Sequence, residues 1–191
     1  MFHRFKLVIA GVALLAVPGV ALAQSASNQV TLSSTVTGAC GLGAPDTTPI
    51  NLQDLTGPDG LLDPAKTGTT VLGTSTIADA WCNSPHTLSL ESSAMTLQES
   101  RAYAQPAYMA RRVTFDARLV GWPFTAIIRP RNDNDRTTLE VPGAYAAPAP
   151  GLRLQISRLQ TLSLTNTEQP NLMLENGSYL GTVTITLTAA N

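Results

Sequence analysis

Cys40 and Cys82 are the only thiols in the 191-residue chain, so one intramolecular pairing exists. In an oxidising compartment that pairing is a disulfide, and closing a loop of this size stabilises a fold by about 4 kcal/mol in the chain-entropy account. A reactive thiol is the competing chemistry. His86 stands shortly after Cys82, but nothing in the spacing sets the two up as nucleophile and base. A structural zinc site needs about four Cys or His ligands at close spacing, which this inventory does not supply. The stretch Arg129-Pro130-Arg131-Asn132-Asp133-Asn134-Asp135-Arg136 alternates acidic and amide groups in the manner of a calcium loop. It lacks the central glycine and the closing glutamate, and its arginines repel a cation, so it reads as a solvated hairpin tip. Asp54, Asp59 and Asp63 lie in a Gly/Pro-rich loop, where aspartate side chains bond local turn amides.

A glycosidase needs two carboxylates held across a cleft, and no pair is distinguished here. A serine hydrolase needs a base and a Gly-x-Ser-x-Gly elbow. The elbow is missing, and His86 follows Pro85 in a turn-like Cys-Asn-Ser-Pro run. The reading is of a protein that is not an enzyme and requires no cofactor or metal. Among the aromatics, Trp81 is expected in or near the core, a sugar-stacking platform being its alternative role. Trp122-Pro123-Phe124, with Tyr103, Tyr108 and Tyr145, offers either packing or a surface for a sugar or host protein.

The elements that position these residues begin after a leader. Arg4 and Lys6 precede an apolar run at 7–17, and Ala21-Leu22-Ala23 supplies the small residues of a cleavage site, which predicts a signal peptide over 1–23 and a mature chain from Gln24. No later apolar stretch is long enough to span a bilayer, so the mature chain is expected to be exported without membrane insertion. Basic and acidic side chains nearly balance, 12 against 13, and only Lys6 and Lys66 are lysines. No basic stripe exists for phosphate contacts, which argues against nucleic acid as a partner.

Threonine occurs 24 times, and only 13% of residues are charged; hydroxyls and β-branched side chains suit pleated strands. The most regular strand is expected at 178–188, where Tyr179, Gly181, Val183, Ile185 and Leu187 alternate with Leu180 and threonines. Asn176-Gly177 ahead of it predicts a hairpin with 171–175. Further strands are expected at 29–37, within 68–78, and at 87–91, 111–120, 124–128, 137–141 and 152–164. Gly/Pro/Asp/Asn-rich loops are expected at 41–49, 57–64, 129–136 and 142–151, and a single helical turn is conceivable within 98–109. Many short strands without strand-helix alternation predict an all-β sandwich in one domain.

Three features together resemble subunits of bacterial chaperone-usher pili, particularly the archaic branch that includes spore coat protein U-like pilins. One is the alternating run Gln29-Val30-Thr31-Leu32-Ser33-Ser34-Thr35-Val36-Thr37-Gly38-Ala39-Cys40. Another is the closing run Glu175-Asn176-Gly177-Ser178-Tyr179-Leu180-Gly181-Thr182-Val183-Thr184-Ile185-Thr186-Leu187-Thr188. The third is the second cysteine closing the first third of the domain. The resemblance implies an immunoglobulin-like β-sandwich at 38–191 that lacks its final strand and is completed by donor-strand exchange. Residues 24–37 would be the N-terminal extension, or donor strand, and the start of the first strand, with Val30, Leu32, Ser34 and Val36 as the donated face. Tyr179, Gly181, Val183, Ile185, Leu187 and Asn191 would line the groove and contact a chaperone. The implied partners are a periplasmic chaperone, an outer-membrane usher and neighbouring subunits. The implied route runs through the periplasm to a surface fimbrium. Ser34 is small for a donated face, and Ala190 stands where many pilins carry an aromatic. The competing expectation is a self-contained secreted sandwich that binds a carbohydrate or a host protein.

Overall fold

Residues 33–190 are described in the computed structural model. Among the described residues, one compact unit begins at Val36 and holds every described strand. In chain order the strands are β1 (Cys40–Gly41), β2 (Val71–Ile77), β3 (Trp81–Cys82), β4 (His86–Ser92), β5 (Met95–Leu97), β6 (Met109–Ala110), β7 (Arg112–Val120), β8 (Ala126–Ile128), β9 (Asp135–Val141), β10 (Tyr145–Ala146), β11 (Leu152–Leu162), β12 (Met173–Leu174), β13 (Tyr179–Leu180) and β14 (Val183–Ala189). One 3₁₀ turn, Pro64–Lys66, interrupts the strand order.

The fold is all-β. The larger sheet runs β13-β5-β7-β11-β2, with β8 also paired to β7, and the smaller runs β14-β4-β9. All of these pairings are antiparallel. The inner faces follow from period-two alternation. Val113, Phe115, Ala117 and Leu119 of β7 share one hydrophobic cluster with Leu88 and Leu90 of β4 and Leu154 and Ile156 of β11, so the two sheets enclose a common core as a sandwich. Each of the Val, Leu, Ile and Phe side chains among them, once buried, stabilises the fold by roughly 1.5–3 kcal/mol.

The end of the sandwich near the two cysteines is closed by a small sheet, β1-β3-β10. Cys40 and Cys82 are register partners in it and form the expected disulfide. Tyr145, the other neighbour of Cys82, packs edge-on to Trp122 at 4.8 Å, and Trp122 packs edge-on to His86 at 5.4 Å. The Trp122 indole N–H donates to His86 Nε2 at 3.1 Å, and Nδ1 faces the Ser84 carbonyl at 2.9 Å. An indole nitrogen only donates, so Nε2 is the acceptor and the ring proton sits on Nδ1.

Several sequence expectations change. The run 178–188 is two strands. Tyr179–Leu180 pairs with β5 in the larger sheet, whereas Val183–Ala189 pairs with β4 in the smaller. The chain crosses at Gly181, where a Cβ would come within 3.0 Å of the Ser93 carbonyl and 2.9 Å of Met95 Cγ. The Asn176-Gly177 hairpin does not form, because Met173 and Leu174 pair in parallel with Met109 and Ala110, while Tyr179 and Leu180 pair with β5. Residues 98–108 contain no helix, and residues 33–39 lie in no strand. The rest of the 29–37 expectation falls outside the described residues, as does the signal peptide.

Candidate functional site

The strand β14 carries the site. Its threonines, 184, 186 and 188, point to solvent, and Val183, Ile185 and Leu187 point inward yet are only half-buried. All seven residues pair with β4. Among the described residues no strand pairs with the opposite edge, so a row of backbone donors and acceptors lies open beside a partly uncovered apolar face.

Next to that edge runs a groove of 850 Å³, floored by Phe115, Leu154 and Ile156 and bordered by Val183 and Ile185. Its far wall is the irregular run 42–55, which bridges to the end of β2 at Pro45↔Ile77. Two contacts hold this wall. The Asp46 carboxylate accepts from Thr76 N at 2.7 Å while Asp46 N donates to the Thr76 carbonyl at 2.8 Å; the hydrogen bond from Thr76 N leads the causes that lower the Asp46 pKa. Further along, Ile50 lies flat on Gly73, where a Cβ would stand 2.3 Å from Ile50 Cγ2.

The end of the groove at Gly177 and Tyr179 is braced by a polar cluster. Tyr179 directs its hydroxyl between the carbonyls of Glu175 at 2.8 Å and Ala110 at 3.0 Å. Burial, with the Glu175 charge adding to it, pushes that phenol up to about 12. Glu175 is itself buried at 3% exposure. It accepts from Arg111 Nε at 2.5 Å and Tyr103 Oη at 2.6 Å, with Arg101 Nε at 3.0 Å. The Arg111 hydrogen bond, then that of Tyr103, holds the Glu175 carboxyl below its ordinary range. Glu99 accepts from Ser178 N at 2.9 Å, and this bond leads the lowering of its pKa.

The structure brings Tyr179, Gly181, Val183 and Ile185 together along the groove. Leu187 shares the face of Val183 and Ile185 on β14 but lies beyond the lining, and Asn191, Val30 and Leu32 fall outside the described residues. Ser34 is exposed, and Val36 is 85% exposed. Sequence reasoning missed the second wall. Ile50, Leu52 and Leu55 were its only signal, an apolar trio in a stretch whose beginning reads as loop.

The other chemistry-bearing groups have local structural partners. The Asp54, Asp59 and Asp63 carboxylates accept from the turn amides of Thr56, Leu61 and Ala65. Asp135 caps the amides of Arg131 and Asn132, and Asp133 pairs with Arg112 at 2.7 Å. Trp122 is buried, but Trp81 is not the core residue expected: it is 42% exposed. Its cross-strand neighbours are Gly41 and Ala146, which are too small to cover it.

No protein-family model, curated protein or solved structure matches the chain.

Proposed function

We propose that this protein is a structural subunit of a surface fibre whose sandwich is completed by a strand borrowed from another chain. The observation that carries the reading is the open edge of β14 above the 850 Å³ groove. An extended segment laid there would pair with the free backbone groups while its alternate side chains entered the space above Phe115, Leu154 and Ile156. The N-terminal segment of a neighbouring copy, with Val30, Leu32, Ser34 and Val36 on one face, is the donor in this proposal. Before assembly a periplasmic chaperone covers the same edge, and an outer-membrane usher exchanges it for the donor. The disulfide is consistent with export to an oxidising compartment.

The test uses the mature chain and a version lacking residues 24–36. The mature chain is expected to form head-to-tail oligomers, and the truncated chain to stay monomeric with low stability. A peptide of residues 24–36 added to the truncated chain is expected to raise its melting temperature. A truncated chain that is as stable alone as with the peptide would overturn the proposal and favour a self-contained secreted sandwich.

A further inference from the structure

We infer that successive copies also meet body to body, with Tyr108 of one copy seated in the cleft beside Trp81 of the next. The inference rests on the fibre reading and adds a contact that the groove does not provide.

Chain direction sets which ends of two successive copies meet. Residues 37–39 are fixed at the disulfide end of the sandwich. The Asn83 side chain accepts from Ala39 N at 2.6 Å and donates to the Thr37 carbonyl at 3.2 Å, while Asn83 N donates to the Ala39 carbonyl at 3.0 Å. The last described residue of the β14 run lies at this same end, where Ala190 N donates to the Pro85 carbonyl at 2.8 Å. The groove instead reaches Gly177 and Val183 at the opposite end of β14. A donated segment paired antiparallel to β14, the more stable arrangement per residue, has its C-terminal residues beside Val183. The body to which that segment belongs then stands with its disulfide end against the Val183 end of the acceptor.

Both ends carry apolar surface that their own fold leaves uncovered. Gly41 allows the Trp81 indole to lie across it, since a Cβ there would stand 2.4 Å from Trp81 Nε1. The indole borders a cleft of 630 Å³ whose other walls are mostly alanine, among them Ala80, Ala146 and Ala147. At the acceptor's end, Tyr108 is 65% exposed and Met173 is 40% exposed. The two are tied together by the bond from Met173 N to the Tyr108 carbonyl at 3.1 Å. A phenol ring between alanines and an indole gains edge-to-face contact, and Asp79, which also lines the cleft, offers its hydroxyl an acceptor. Tyr, Trp and Met are among the side chains enriched at the centres of protein contacts.

The experiment measures acrylamide quenching of tryptophan fluorescence in the mature chain. It compares assembled oligomers with the peptide-filled, truncated monomer; Trp122 is buried, so the quenchable signal reports Trp81. Assembly is expected to abolish the quenching and shift emission to the blue. Tyr108→Ala is expected to restore quenching while oligomers still form, and Tyr108→Phe to retain most of the protection. Oligomers in which Trp81 stays as open as in the monomer overturn the inference, as does equal protection in Tyr108→Ala. A mature chain that never assembles head to tail overturns the fibre reading and this contact with it.

Discussion

His86 has a defined protonation pattern because each ring nitrogen has one partner: Trp122 donates to Nε2, and the Ser84 carbonyl accepts from Nδ1. The ring is 2% exposed, so neither partner can turn to water instead. His86→Ala leaves the Trp122 N–H without an acceptor and opens a cavity beside it. A buried donor left unpaired costs about 1–3 kcal/mol, and the cavity adds to that. Denaturant unfolding of the peptide-completed protein is expected to show at least this loss; an unchanged midpoint would mean that the Trp122 bond contributes nothing. Glu175 gives a prediction in pH. Its carboxyl is held low by Arg111, Tyr103 and Arg101, so the folded state binds that proton less readily than the unfolded chain. The stabilisation is therefore complete above the ordinary glutamate range, about 4.3, and is lost as pH falls through the lower folded-state value. Glu175→Gln is expected to flatten this acid-side slope in thermal melts, and a parallel slope in both proteins would remove Glu175 from the account. The His86–Trp122 pairing was not legible in the sequence, since it joins residues brought together only by the packing of β4 against the turn after β7.

At the scale of elements, the alternation within β14 could be read directly, because a half-covered strand writes its two faces at period two. Its break at Gly181 could not. The crossing depends on the closeness of Ser93 and Met95, which is a tertiary fact, while the local pattern continues unbroken through the glycine. Trp81 failed as a core prediction for a related reason: its exposure follows from the small cross-strand neighbours Gly41 and Ala146, which only the register reveals. The second groove wall carries no periodic signal at all. It is held by Asp46 on Thr76 and by Ile50 on Gly73, and this gives a test. Gly73→Val places side-chain atoms where Ile50 lies, and overpacking of this kind typically costs about 1–3 kcal/mol. The variant is expected to lift the wall and weaken binding of the 24–36 peptide more than it changes the disulfide-closed end. Peptide titration by calorimetry would check this; unchanged affinity would show that the wall is not part of the binding surface.

For the whole molecule, the central matter is a sandwich with one sheet ending in an open, partly apolar edge. In the larger sheet the inner face of the central strand β7, Val113, Phe115, Ala117 and Leu119, is fully buried, whereas β14 shows half-buried Val183, Ile185 and Leu187 along an edge that no strand among the described residues pairs. Open edges of this kind attract strands from other chains unless they are blocked, and here the exposed threonines provide neither charge nor bulge along β14. Composition and period made the all-β class legible, and the two cysteines made the disulfide legible. The pairing of the groove's two walls was not, since residues 42–55 and 183–185 are far apart in the chain. Amide hydrogen exchange along Val183–Ala189, in the chain lacking residues 24–36 and with the peptide of those residues added or withheld, tests the claim most directly. The β14 amides not bonded to β4 are expected to exchange rapidly without the peptide and to become protected when it binds. Protection already present without the peptide, or unchanged after it binds, would mean that β14 is not an open edge that a donated strand completes.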